Sequence, residues 1–140
     1  MDRTNPLDHQ GLEVLSPEEC WRLLREAPVG RVAFLEAGQP QILPVNHGVL
    51  GHRVIIRTAR GALLNQAVLN RPLAFEIDGY DEASRTGWSV VVRGLGEPLR
   101  GDADPASFGL EPWADAVARD EIVELWPEEV TGRRIVRDAG

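Results

Sequence analysis

Residues 42–78 read ILPVNHGVL, GHRVIIRTARGALLNQAVLNRP and LAFEID, and this stretch limits the fold more than any other. Its apolar runs are short and rich in β-branched residues, with Val54, Ile55 and Ile56 in succession. Such side chains fit a pleated, buried surface better than a helix. Gly51-His52 between two such runs predicts a two-residue hairpin turn. Pro44 interrupts the first run; it cannot donate to a ladder, so it marks an edge or a bulge. Ala62 to Leu69 carries helix formers, which Asn70 and Pro72 stop. Leu73 to Ile77 then resumes strand character.

The flanking chain repeats the pattern. Leu15-Ser16-Pro17-Glu18-Glu19 predicts a helix start, with Ser16 as cap, Pro17 in the first turn and Glu19 completing a capping box. Cys20, Leu23, Leu24 and Ala27 share one face of that helix, and Ala27-Pro28 ends it. Gly30 to Leu35 predicts a strand with Val32 and Phe34 on one side, followed by a turn over Glu36 to Pro40. Gly79 to Gly87 reads as a polar loop, and Trp88 to Arg93 as a strand with Trp88, Val90 and Val92 on one face. Short helices are expected around Pro105 to Phe108 and Pro112 to Ala118. Two last strands, Glu121 to Trp126 and Val130 to Val136, are separated by Pro127-Glu128-Glu129. Strands outnumber helices and no βαβ alternation persists, which points to a mainly β protein, a small antiparallel barrel with peripheral helices. Residues 1–14 are expected as a flexible arm and 15–140 as a single domain.

Charge narrows the function. Fifteen arginines stand against 22 carboxylates, a net charge of −7, which argues against general nucleic-acid binding. Residues 101–130 hold much of the acid and read as a solvated face. The chain has no lysine, so Schiff-base chemistry on lysine is excluded. Cys20 is the only cysteine and lies within the helix pattern, which suits a buried structural thiol. The N-terminus lacks the form of a signal peptide and no run reaches membrane-spanning length, so a cytoplasmic, membrane-free protein is expected.

Candidate chemistry gathers after the second strand. Arg57, Thr58, Arg60 and Gly61 precede a helix start at Ala62, where free backbone N–H groups and the helix dipole favour a phosphate. The same residues also suit a solvated strand-to-helix loop. His47 and His52 flank a turn without the carboxylates or cysteines that complete a metal site. Ser89 lacks a nucleophile-elbow context, and Gly94 and Gly96 lack the third glycine of a dinucleotide fingerprint. Trp88 and Trp113 are the tryptophans placed to stack on a planar cofactor, although ordinary packing explains either.

Read together, PVN (Pro44 to Asn46), RTARGALL (Arg57 to Leu64), FEID (Phe75 to Asp78), GWSVVVRG (Gly87 to Gly94), EPW (Glu111 to Trp113) and VTGRRI (Val130 to Ile135) resemble, in order, the pyridoxamine 5′-phosphate oxidase-like FMN-binding split-barrel proteins. The similarity is to the short actinobacterial-type branch and spans residues 16–136. It implies a six- or seven-stranded antiparallel split barrel, a homodimer, and FMN bound at the dimer interface. It further implies Pro44, Val45 and Asn46 along the flavin ring, Arg57 and Thr58 toward the ribityl and phosphate end, and Gly61 and Ala62 in the phosphate loop. Ser89 matches a position where the oxidase branch has a ring-bonding glutamine, and Trp88 and Arg133 approach from the same or the partner chain.

Two departures matter. Leu63 stands where the branch usually has lysine; Arg60 is the candidate substitute as phosphate partner. No counterpart of the oxidase's substrate-phosphate cluster is found, so true pyridoxamine phosphate oxidation is not expected. The resemblance therefore implies an FMN-dependent oxidoreductase or flavin reductase. The alternative is a split-barrel dimer that has lost FMN and holds a deazaflavin or haem, or has a non-enzymatic role. His47 is the nearest axial candidate for haem, although a solvent-exposed turn histidine suits it better.

Overall fold

The computed structural model of the protein describes residues 5–57, 61, 66–67, 69–99 and 122–136. Its elements in order are β1 (Glu13–Val14), α1 (Pro17–Glu26), β2 (Val29–Glu36), β3 (Gln39–Leu50), β4 (Arg53–Arg57), β5 (Pro72–Asp81), β6 (Thr86–Pro98) and β7 (Ile122–Arg134). All strand pairs are antiparallel, in the order β1-β7-β4-β3-β2-β5-β6, and β6 also pairs β7. That second pairing closes the sheet into a barrel, with β1 as an extra strand. The mainly β split barrel expected from the sequence is the fold observed.

Two tight hairpins set the register. Ala37 and Gly38 both have positive φ (50° and 77°), as a type I′ turn demands. At the next hairpin Gly51 has φ 59° in the first loop position, as a type II′ turn demands. Alternation then turns Val32, Val54, Ile56, Phe75, Ile77, Val90 and Val92 inward, where all are fully buried. Helix α1 lays Cys20, Trp21, Leu23 and Leu24 on this core. Its start matches the sequence: the Ser16 hydroxyl accepts from the Glu19 N–H at 3.2 Å. Gly132 lets α1 approach β7, since a Cβ there would stand 2.6 Å from Cys20 Sγ.

Two expectations change. Pro127-Glu128-Glu129 does not divide the last strand; β7 runs through it, and the register slips opposite Arg93 and Gly94. Gly94 pairs with Pro127 and Arg93 with Glu129, leaving Glu128 as the extra residue of a bulge. Gly94 is required there, because a Cβ would lie 1.9 Å from the Trp126 carbonyl oxygen. The loop expected over Gly79 to Gly87 shrinks to residues 82–85, because β5 and β6 continue past the apolar runs. Glycine at 79 allows this: the Trp88 ring lies where a side chain would be, 2.8 Å from its Cβ position. The N-terminal arm is docked along residues 5–14. β1 pairs with Arg133 and Arg134, and the Asn5 amide donates to Glu13 and Glu19 at 3.0 and 2.9 Å.

Pro44 lies on a local edge, as its chemistry requires. β2 pairs with residues 39–46 of β3, whereas β4 pairs only with residues 47–50. Of the helix expected over 62–69, Gln66 and Ala67 are helical and Leu69 lies in a turn, the other residues lying outside the described ones; the helices expected between 102 and 120 lie outside the described residues.

Candidate functional site

The site residues expected from the sequence fall into two groups on the barrel, with Asn46, Arg57, Ser89 and Arg133 turned outward by strand alternation and Val45 and Trp88 packed against the core. In the first, Pro44 pairs with Arg31 and Asn46 with Val29 across β2. Asn46 and Arg57 stand one residue beyond the last β3–β4 pair, His47 and Ile56. His47 and Ile56 are buried inside, so alternation turns Asn46 and Arg57 outward on adjacent strands. Val45 packs against the core, so its backbone is what it offers outward. Residues 39–46 lack a ladder neighbour on the β4 side among the described residues. Backbone donors and acceptors on that side can serve the polar edge of a bound ring.

The second group lies on β6 and β7. Ser89 is paired with Asp78 on one side and Arg133 on the other. Trp88, Ser89 and Arg133 line one cavity of about 320 Å³, together with Leu12, Gly79 and Tyr80. Trp88 packs its indole on Gly79, which fixes its plane against the sheet. Arg133 is held at two points: its Nε donates to Asp8 at 3.0 Å and its NH1 group donates to the Gly132 carbonyl at 2.9 Å. The Asp8 carboxyl is held below its ordinary range, chiefly by the Leu12 N–H and against the opposing effect of desolvation, with the Gln10 N–H and Arg133 adding to the lowering. Round one side of the barrel β2 and β5 lie between the two groups; round the other β4 pairs directly with β7, with Arg57 opposite Ile122 at the far end of β7 from Arg133.

Arg31 ties β2 to β5 on the outer face. It reaches Glu76 at 3.0 Å and Asp78 at 2.5 Å on β5. Burial, and then the neighbouring Asp78, push the Glu76 carboxyl up, while Arg31 pulls it down.

Gly61 is exposed with φ 144°, a backbone state that suits glycine in an open loop. Thr58, Arg60, Ala62, Leu63 and Trp113 lie outside the described residues. Leu12, Gly79, Tyr80 and Asp8 belong to the second group although nothing in the sequence marks them. Asp8 and Arg133 are 125 positions apart, so only the fold joins them.

His47 departs from expectation. It is not an exposed turn residue but a core one, 5 % exposed, tilted on Phe75 with ring centroids 4.7 Å apart. Its Nε2 lies 2.8 Å from the Leu24 carbonyl. A carbonyl only accepts, so Nε2 carries the proton. Burial, opposed by this hydrogen bond, holds the imidazole pKa below its usual value. A neutral histidine committed to the helix is not placed to ligate haem. Among the described residues no three His, Cys, Asp or Glu side chains gather as a metal site, and no helix is long and apolar enough to cross a membrane.

Comparison with known proteins agrees with this fold. The family model described as pyridoxamine 5′-phosphate oxidase matches residues 16–134. The uncharacterized protein Rv0080 of Mycobacterium tuberculosis is 40 % identical over 144 residues, covering 98 % of this chain and 94 % of its own. Among solved structures, an FAD binding protein from Mycobacterium smegmatis is 31 % identical, with a TM-score of 0.67, covering 89 % of this chain and 99 % of its own. A putative pyridoxamine 5′-phosphate oxidase from Corynebacterium glutamicum is 30 % identical, with a TM-score of 0.70, covering 90 % and 99 %.

Proposed function

From the premise that this chain belongs to the pyridoxamine 5′-phosphate oxidase family of flavin-binding split barrels, we propose that it is a flavoprotein, an oxidoreductase or flavin reductase that binds FMN between two copies of itself. The observation that carries this reading is the separation of the site residues into two groups, one on β3 and β4 and one at the end of β6 and β7 away from β4. One chain offers each group separately; a two-fold pairing brings the first group of one copy to the second group of the other.

The surface between and beside the groups supports such a pairing. Val29, Leu35 and Ile42 are exposed on the outer face of β2 and β3, with the small Ala33 and Ala74 paired beside them. An apolar patch rimmed by polar residues is what an interface core requires.

The residues fit a flavin by chemistry as well as by place. The open backbone edge of β3 would serve the polar rim of a flavin ring, Trp88 would supply an aromatic surface beside it, and Arg57 and Gly61 would serve its phosphate end. The flavin supplies hydride or electron transfer when bound. The chain binds, orients and shields it; no side chain is assigned as acid or base. The substrate-phosphate cluster of the true oxidase has no counterpart, so pyridoxamine phosphate oxidation is not the proposed activity. The FAD named for the Mycobacterium smegmatis structure makes FAD the competing flavin.

The test is to purify the protein from a flavin-rich host, release any bound flavin and identify it chromatographically, then titrate apoprotein with FMN, FAD and riboflavin. Preferential FMN uptake supports the reading. Preferential FAD uptake keeps the flavoprotein and replaces the cofactor. A colourless protein that takes up none removes the proposal.

A further inference from the structure

The N-terminal arm borders the Trp88 cavity through Leu12. Asn5 ties it to Glu13 and to Glu19 of α1, and β1 joins it to the end of β7. Between these ties, one oxygen of Asp8 accepts the Gln10 and Leu12 N–H groups, both at 2.9 Å. Its other oxygen takes the Arg133 Nε–H at 3.0 Å, and Leu12 lines the cavity itself. On the far wall Asp78 is neutralised by Arg31 at 2.5 Å. Both charged residues that line the cavity therefore already have ionic partners. What remains is apolar and aromatic surface from Leu12, Tyr80, Trp88 and Ile135, with the Ser89 hydroxyl and the uncommitted Nη2 of Arg133 as polar groups.

We infer that the arm is a wall of the flavin site and that Asp8 is its positioning residue. By neutralising Arg133 and fixing its plane, Asp8 turns that arginine into a directional hydrogen-bond donor for an uncharged planar ring bearing carbonyl groups. Arg133 is then not a phosphate ligand, and the phosphate end belongs to the Arg57–Gly61 side. This rests on the flavoprotein reading above. The chemistry is consistent: a guanidinium pinned at Nε and one terminal nitrogen can aim its remaining N–H groups in its own plane. A neutralised cation has lost most of its pull on a dianion but keeps its donors.

Asp8→Asn tests this cleanly. Its oxygen can keep the two N–H bonds of the turn, while its amide nitrogen cannot accept from Arg133. Full-length protein is titrated with riboflavin and with FMN. Both affinities are expected to fall about five- to tenfold, as for one directional hydrogen bond, and their ratio to stay constant. In an Arg133→Gln background, Asp8→Asn is expected to have no further effect on binding, because it acts through Arg133; a purely structural role adds its cost in either background. An FMN affinity that rises relative to riboflavin makes Arg133 a phosphate ligand and overturns the inference. Unchanged affinities for both overturn the arm's place in the site. If wild-type protein takes up neither flavin, the functional reading fails and the ring-donor role falls with it. The latch itself is still read from exchange of the Arg133 Nε–H by NMR, slow in wild type and fast in Asp8→Asn; fast exchange in both overturns the latch.

Discussion

Replacing His47 by glutamine removes a titrating group while keeping an N–H donor for the Leu24 carbonyl. In the wild type the imidazole is neutral, buried, and bonded to α1 through Nε2. Its pKa is lowered in the fold from a reference of 6.5, first by burial. The sign follows from linkage. Below pH 6.5 the unfolded chain takes up a proton that the folded chain refuses, so stability is fully present above that pH and falls as pH drops toward the lowered value. One such proton sets a limit of about 1.4 kcal/mol per pH unit. His47→Gln loses ring packing against Phe75, and some of the bond, so a cost of about 1–3 kcal/mol at pH 7.5 is expected. Between pH 7 and 5.5 the wild-type curve should descend toward the variant's. Glu76, whose carboxyl is raised, titrates with the opposite sign, but it is present in both proteins and cancels in the comparison. Urea unfolding at several pH values measures the difference. Parallel curves would refute the buried neutral histidine.

Other expectations follow from single contacts. Gly94→Ala meets backbone, the Trp126 carbonyl at 1.9 Å, and should cost about 3 kcal/mol or more; Gly96→Ala meets the movable end of Leu73 and should cost about 1–2 kcal/mol, both read by denaturant unfolding. Ile42→Glu, at a position 66 % exposed, should change the stability of a single chain by less than about 0.5 kcal/mol yet shift sedimentation from dimer to monomer. As pH falls through the lowered pKa of Asp8, its bonds to Leu12, Gln10 and Arg133 are lost, so amide exchange at Gln10 and Leu12 should quicken in acid well before the barrel strands open.

The barrel was legible because its signals are local. Val54-Ile55-Ile56, the Gly51 turn and the Ser16-Pro17 cap each act within a few residues, and the structure uses each as read. Pro127 misled because proline in a β run marks a turn or a bulge with equal force, and only the partner strand decides; Gly94 across the ladder decides for the bulge. Trp21 was not singled out on the helix face, yet it is buried and stacks on His52 at 4.9 Å, a pairing made by the hairpin that folds His52 back. The resemblance named candidate site residues on β3, β4, β6 and β7, and the fold shows only where they stand. Asp8 was not among them, because a carboxylate in a polar arm acquires its role only when β1 docks beside Arg133.

The most direct measurement of a site shared between two copies is complementation. Asn46→Trp blocks the first group and Ser89→Trp blocks the second. Each variant alone should take up no FMN. Unfolded together and refolded in equal amounts, half of the dimers are mixed, and each mixed dimer carries one intact and one doubly blocked site. FMN uptake should then return to about a quarter of the wild-type level. A mixture that stays empty while wild-type protein binds FMN would place both groups of a site on one chain, and would contradict the account.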